Sequence, residues 1–390
     1  MVHHRRLRIM MVAPTSFFTD CGSHVRIYEE ARSLIRCGHA VRVVCYHSGR
    51  DMPGIQTEKI TVPTLLKKLP LESPWFKSYL NFLLLKQAIR CARTFRPHLI
   101  HAHLPQGDRM GERLKKRLGI PLLQDCRRSI TDVDAVTPVS VLHRFIRSRK
   151  PALNTGSADY TITSSTALAQ DLVTQCGVDK NSIYPMIDGV NTALFRPGPR
   201  TETRAKLKIP PTVPLVVYAG ALSRAHGIDT LLSAIVQLQS IESPLRFMIM
   251  GGGYEVYRTM ARDLGIERMV MFTGTINYKE LPLYLAAGDF GVSPAISLTG
   301  ANSQLLNYLA CGLPTVAFDT PGNKEMLGEA GVYAEYGECS DLAAKLSWLA
   351  ANREERSRLR ALGLAQVEQQ HSWERRGRAL DEIYRVKLRR

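Results

Sequence analysis

A chain of 390 residues is too long for one typical core and calls for two domains. Its 45% hydrophobic and 22% charged content excludes a disordered chain, and no stretch reaches the roughly 18 uncharged apolar residues of a membrane-spanning helix. The net charge of +17 is uneven: residues 1–195 hold 28 Lys and Arg against 15 Asp and Glu, and residues 196–390 hold 24 against 20. The first half is therefore the one suited to a polyanion, whether anionic membrane, nucleic acid or phosphorylated substrate.

The apolar run Leu7–Pro14 is too short to span a bilayer and lacks a small-residue cleavage site, which argues against a signal peptide, and Ile9–Pro14 reads as a buried strand. A Gly-containing turn, Asp20-Cys21-Gly22-Ser23-His24, leads from this strand into a helix over about 23–37, and Gly38-His39 ends that helix before the strand Ala40–Tyr46. Glycine at such a turn lets backbone N–H groups approach a phosphate, and the helix start adds partial positive charge. Leu65 to Lys86 mixes Lys67, Lys68, Lys77 and Lys86 with Trp75, Phe76 and Phe82. That composition suits either an interfacial helix on an anionic bilayer or a helix packed on a sheet with solvated lysines. Strands at Leu99–His103, Pro121–Asp125 and Tyr160–Ser164 follow, each beside a helical segment. Such alternation implies crossover units and a parallel sheet. His101 and His103 share one face of their strand; with no carboxylate or thiol beside the pair in sequence, it does not read as a metal site.

Arg196-Pro197-Gly198-Pro199, with Pro210, Pro211 and Pro214 close behind, is the best domain boundary, since prolines at that density break regular elements. The alternation then restarts: strands at Leu215–Ala219, Arg246–Met250, Met269–Phe272, Phe290–Ser293 and Thr315–Phe318, with helices including 229–238 and 304–310. The expected architecture is two doubly wound α/β lobes with ligands at the carboxyl ends of their strands. The last residues, from about Ser372, read as one long basic helix expected to pack back on the first lobe. The eight cysteines (21, 37, 45, 91, 126, 176, 311 and 339) form no C-x-x-C pair, which fits reduced thiols in a cytosolic protein better than a disulfide frame.

Glycine turns follow two strands of the second half, Gly220 to Gly227 and Gly251-Gly252-Gly253; neither is a dinucleotide fingerprint. A polar loop, Ser297-Leu298-Thr299-Gly300-Ala301, opens a helix near Asn302 or Ser303 whose free N–H groups suit a diphosphate.

The order of these pieces resembles the family 4, or group 1, glycosyltransferases. The resemblance is carried by Gly-Ala-Leu-Ser from Gly220, Met250-Gly251-Gly252-Gly253, Phe272-Thr273-Gly274, Ala286-Ala287-Gly288-Asp289 and Ala310-Cys311-Gly312-Leu313-Pro314. In the first half, Gly38-His39, His101-Ala102-His103 and Asp188-Gly189-Val190-Asn191 agree with it, so nearly the whole chain is covered. It implies the GT-B fold, with a nucleoside-diphosphate sugar on the second lobe, a glycan or lipid-linked acceptor mainly on the first, transfer with retention, and no required metal or other cofactor. The same family usually has an arginine and a lysine where this chain has Ala221 and His226, and two glutamates where it has Thr299 and Asn307. Arg224, and His226 when protonated, can substitute for the missing charge. By the resemblance His103 lies beside the transferred sugar and Glu325 matches a further acidic position. The expected donor-site set is Gly22, Ser23, Gly220, Arg224, His226, Gly252, Thr299, Gly300, Ala301, Asn302, Ser303 and Asn307.

Three functional classes follow: a cytoplasmic glycosyltransferase, peripheral on the inner face of the membrane where its acceptor is lipid-linked; a non-catalytic GT-B protein that binds nucleotide, glycan or a partner enzyme; and a nucleic-acid binder. Charge alone suggests the last, and no nucleic-acid motif supports it.

Overall fold

The computed structural model describes residues 6–70, 73–127, 158–298 and 302–388. They form two compact units, one from Met1–Thr19, Ser23–Met186 and Trp373–Arg390, the other from Asp20–Gly22 and Ile187–Ser372.

The first unit is built on a seven-stranded sheet in the order β3-β2-β1-β4-β5-β6-β7. Its strands are β1 (Arg8–Ala13), β2 (Ala40–Cys45), β3 (Gln56–Lys59), β4 (Leu99–His103), β5 (Leu122–Cys126), β6 (Tyr160–Thr163) and β7 (Ile183–Pro185). Every pairing is parallel. Along β1, Ile9, Met11 and Ala13 enter one core and Met10 and Val12 the other, which is why the strand reads as an unbroken apolar run. Helix α1 (Gly22–Arg36) and the C-terminal helix Trp373–Leu388 cover the first face, with Leu380 and Tyr384 buried there. Helices α2 (Pro74–Phe95) and α3 (Leu104–Leu118) cover the second. Gly111 permits close packing of α3, since a Cβ there would lie 2.6 Å from Leu122 Cδ1.

The second unit has a six-stranded parallel sheet, in the order β10-β9-β8-β11-β12-β13. These strands are β8 (Leu215–Ala219), β9 (Arg246–Met250), β10 (Val270–Gly274), β11 (Phe290–Ser293), β12 (Thr315–Phe318) and β13 (Gly331–Ala334). The chain leaves the first unit after Met186, and Val190 N–H bonds the His371 carbonyl at 2.7 Å within the second. The proline-rich break at Arg196–Pro199 thus falls inside the second unit, not at its edge. Carbonyls of the proline segment that follows have no ladder to join. The Nη1 of the buried Arg204 collects them instead, donating to Pro210 O and Pro211 O at 3.1 Å and Val213 O at 2.8 Å, while Nη2 pairs with Asp289 at 2.7 Å and Nε donates to Ala287 O at 2.8 Å.

Among the described residues no helix is long and apolar enough to cross a membrane. All eight cysteines are free thiols.

Candidate functional site

In a parallel sheet all carboxyl ends share one edge, and a crevice opens where the strand order reverses. In the first unit that point lies between β1 and β4. The loop after β1 is fastened there by His24, which sequence reading passed over: its Nδ1 accepts from Thr19 N–H at 3.0 Å, and its Nε2 meets the Thr15 hydroxyl. Gly22 and Ser23 begin α1 beside this loop. A Cβ on Gly22 would meet nothing within 4 Å, so packing does not require glycine at that position.

His103 ends β4 and is buried, in a polar cluster assembled from four elements. Arg26 of α1 grips Asp125 of β5 with two parallel bonds of 2.7 and 2.6 Å, and His103 Nδ1 stands 3.4 Å from the same carboxylate. Asp125 is the registered neighbour of His103 across the β4–β5 pairing. One strand position back on the same face, His101 stacks its ring 4.2 Å from that of His103. His101 Nδ1 lies 2.9 Å from the Tyr384 hydroxyl and 3.2 Å from Glu30, which also pairs with Arg376 at 3.4 Å. Burial, and then the neighbouring His103, push His101 down to about 3, so the ring is neutral at physiological pH. Burial alone would raise the Asp125 carboxyl; Arg26 and the His103 hydrogen bond outweigh it and hold the group well below the usual carboxylate range.

Glu30 corrects one expectation. The histidine pair has no carboxylate near it in sequence, yet Glu30, His101 and His103 each offer a ligand atom within 4.8 Å of the others, all buried. Arg26 and Arg376 occupy the anionic side of that cluster, and their positive charge opposes a cation there.

Asp108 of α3 is buried close by and behaves oppositely to Asp125. Burial, and then the Asp125 charge, raise its carboxyl well above the usual value. For an acid so raised, the stabilising contribution is complete below the unfolded pKa near 4 and is lost as pH climbs through the folded value. Asp108→Asn is accordingly expected to raise the melting temperature by a few degrees near neutral pH, with the advantage vanishing near pH 4. Melting curves across that range check it; an advantage independent of pH would contradict a protonated Asp108.

In the second unit the order reverses between β8 and β11, and the glycine loops gather at that edge. A Cβ on Gly220 would strike Gln304 Oε1 and lie 2.9 Å from the Tyr218 hydroxyl, and one on Gly251 would strike the Gly220 carbonyl. Gly227, at φ +71°, lies against the Pro294 carbonyl. Gly227 and Gly251 are set by backbone approaching backbone, and Gly220 by the side chains of Gln304 and Tyr218, not by turn shape alone. Gly252 is exposed, with Thr275 Oγ1 2.9 Å from where its Cβ would stand. The helices Ile228–Ser240, Tyr254–Asp263, Gln304–Ala310 and Pro321–Leu327 all begin along this edge, so their unpaired N–H groups face it. Tyr308 ties one of them down: its hydroxyl oxygen accepts from Ala219 N–H at 2.7 Å, and Gly291 leaves room for its ring.

Within this frame the Arg224 side chain is 85% exposed and 3.9 Å from Asp229. His226 is half-buried, its Nδ1 2.7 Å from the Ser223 hydroxyl. Asn302 donates to the Ser293 hydroxyl, Ser303 caps the helix Gln304–Ala310 without a side-chain bond, and Asn307 is half-buried on that helix. Glu325 is half-buried on the helix after β12. Ala221 is exposed, its carbonyl taken by the Tyr218 hydroxyl at 2.8 Å. Thr299, Gly300 and Ala301 lie outside the described residues.

Each unit is a parallel α/β unit with glycine loops and helix starts on one edge, and two such units in one chain are the plan of the GT-B fold. Comparison with known sequences narrows this. The family described as "Glycosyl transferases group 1" matches residues 199–363, and "Glycosyl transferase 4-like domain" matches residues 22–185. The chain belongs to the group 1 glycosyltransferases, a family of enzymes. The D-inositol 3-phosphate glycosyltransferase of Rhodococcus jostii (strain RHA1) is 27% identical over 307 residues, a match that takes in 74% of this chain and 66% of that protein. Sucrose-phosphate synthase (tll1590) from Thermosynechococcus elongatus superposes with a TM-score of 0.83 at 18% identity, covering 98% of this chain and 99% of that one. Anabaena Alr3699/HepE, solved in complex with UDP-glucose, gives a TM-score of 0.77 at 16% identity, covering 98% and 100%.

Proposed function

We propose that this enzyme moves a sugar from a nucleoside-diphosphate donor to a hydroxyl of a glycan or lipid-linked acceptor, with retention of configuration and no metal. The observation that carries the reading is the carboxyl edge of the second unit's sheet, where Gly220, Gly227 and Gly251 let the loops pack closely beside four helix starts, whose N–H groups suit a diphosphate. The complex of the similar Anabaena protein with UDP-glucose supports a nucleotide-sugar donor. In this reading Gly220, Gly252, Asn302 and Ser303, with Thr299, Gly300 and Ala301, hold the diphosphate on the second unit; Gly22 and Ser23, at the start of α1, are assigned to it by the family resemblance. Arg224 and His226 supply positive charge where Ala221 supplies none. Asn307 and Glu325 fix the donor's sugar and ribose. His103, held by Asp125, contacts the transferred sugar. A preorganised donor at a departing charge is worth orders of magnitude in rate, so replacements at these positions should be felt in turnover. In this reading the enzyme works in the cytoplasm, at the inner face of the membrane where the acceptor is lipid-linked.

Calorimetric titration with UDP, GDP, ADP and their common sugar conjugates tests this, followed by turnover of whichever conjugate binds. One nucleotide class should bind selectively. Arg224→Ala should weaken it several-fold, and His103→Ala should lower kcat by on the order of 10²-fold with donor affinity nearly unchanged. Turnover should survive EDTA, and the product anomer should match the donor. Binding without turnover in any acceptor would favour a non-catalytic role, for which the neutral residues at 221, 299 and 307 already argue. Failure of every nucleotide to bind would defeat the proposal.

A further inference from the structure

Helix α2 has two unlike faces: among the described residues one packs into the core and the other is exposed. Phe76, Leu80, Leu84, Ala88 and Phe95 are buried against the first unit's sheet. The opposite stripe carries Trp75 and Phe82, 59% and 54% exposed, in line with Lys86, Arg90 and Arg93. Lys86 Nζ sits 4.4 Å over the Phe82 ring, so cation and aromatic share one patch. Just ahead, the turn Thr64–Lys68 projects Leu65, 91% exposed, with Lys67 and Lys68 beside it. Residues 61–96 hold seven Lys and Arg against a single acidic residue, Glu72. Helix α3, packed on the same sheet face, adds exposed Arg109, Arg113 and Arg117.

We propose that this face docks on an anionic phospholipid surface, with Leu65, Trp75 and Phe82 entering the headgroup layer and the surrounding lysines and arginines meeting lipid phosphates. Large apolar side chains left in water by a helix whose other face already completes the core need a partner. A tryptophan, a phenylalanine and a leucine ringed by cations suit a surface that is apolar just beneath negative charge. A nucleic acid would satisfy the cations but gives Leu65 no apolar layer to enter. Since every strand of the sheet is parallel and β4 starts directly after α2 ends, the beginning of α2 lies at the carboxyl edge that also carries His103. Docking there would bring a lipid-linked acceptor to the acceptor side; that last step rests on the transfer reading, while vesicle binding does not.

Flotation of the full chain with vesicles of phosphatidylcholine alone, or of phosphatidylcholine mixed with phosphatidylglycerol, tests the proposal. Binding should require the anionic lipid, weaken with salt, and shift tryptophan emission to the blue in a manner lost in Trp75→Phe. The triple variant Leu65→Ser, Trp75→Ser, Phe82→Ser and the charge reversal Lys67→Glu, Lys68→Glu, Lys86→Glu should each lose at least tenfold in vesicle affinity. Their melting temperatures should stay near the parent value, because every changed side chain is exposed, and turnover of a soluble acceptor should be unaltered. Absence of binding, indifference to anionic lipid, or parent-like binding by the apolar triple variant would each overturn it; the last would show only adsorption of a basic protein. Failure of nucleotide binding would leave the vesicle result standing, so the two proposals fail separately.

Discussion

Asp125→Ala is expected to destabilise the protein by about 3–5 kcal/mol, the cost of removing one partner from a buried ion pair. Arg26 is 2% exposed and gives two of its donors to Asp125, while Glu30, 3.9 Å away, is shared with Arg376 and His101. The guanidinium loses a buried partner bound through two hydrogen bonds, so the loss is that of breaking a buried ion pair and not of a surface bridge. The double variant Arg26→Met, Asp125→Leu should recover much of the loss, since a well-packed apolar pair of similar volume needs no solvation. pH gives an independent check. A carboxyl held below its usual range contributes stability that is present above the unfolded pKa near 4 and is lost as pH falls through the lower folded value. Urea unfolding across pH should therefore show an acid limb in the parent that is reduced in Asp125→Ala. The same variant frees His103 Nδ1, so kcat should fall even where the fold persists. A loss under 1 kcal/mol would mean that Arg26 finds another partner and that the cluster is looser than its geometry suggests.

β1, β8 and β9 were readable because each is buried on two faces and so appears as an apolar run, whereas β4 and β5 were readable from the short apolar starts Leu99-Ile100 and Leu122-Leu123 ahead of their polar residues. β3 was not, since Gln-Thr-Glu-Lys at a sheet edge carries no such signal, and β7 is only three residues long. The domain crossing at Met186 was missed for a related reason: composition marks the prolines at 196–199, whereas the chain changes units within Met186-Ile187-Asp188, which has no breaker. His103 was visible, but its surroundings were not. Arg26, Glu30, Asp125, Arg376 and Tyr384 come from α1, β5 and the C-terminal helix, and periodicity within one element says nothing about meetings between elements. A partial signal existed in the way His103 and Asp125 both close the carboxyl ends of strands that turn out to be neighbours. On the second unit the glycines were legible as turns, yet the reason for Gly227 and Gly251 lies in the backbone of a neighbouring loop, and that for Gly220 in the Tyr218 and Gln304 side chains.

Gly227→Ala puts that reason to a measurement, with an expected loss of about 2–4 kcal/mol. The residue sits at φ +71°, where an L side chain is strained, and its Cβ would overlap the Pro294 carbonyl. That obstacle is backbone of the loop after β11, which no rotamer change can clear. Gly227 is also the N-cap of the helix Ile228–Ser240, and its carbonyl accepts from Leu231 N–H at 2.9 Å, so it can move aside only by disturbing the first helical turn. Gly253 is the fitting comparison: it caps the next helix at φ +74° with nothing within 4 Å of a Cβ. Gly253→Ala should therefore cost only the conformational penalty, about 1 kcal/mol. The difference between the two variants isolates the loop–loop contact. Nucleotide affinity should follow the same order, falling at least tenfold in Gly227→Ala because the β8 and β11 loops are pushed apart, and little in Gly253→Ala. Equal melting temperatures for the two would mean that the loops separate at small cost, and the close approach of Gly227 to Pro294 would then not be what holds the glycine edge in shape.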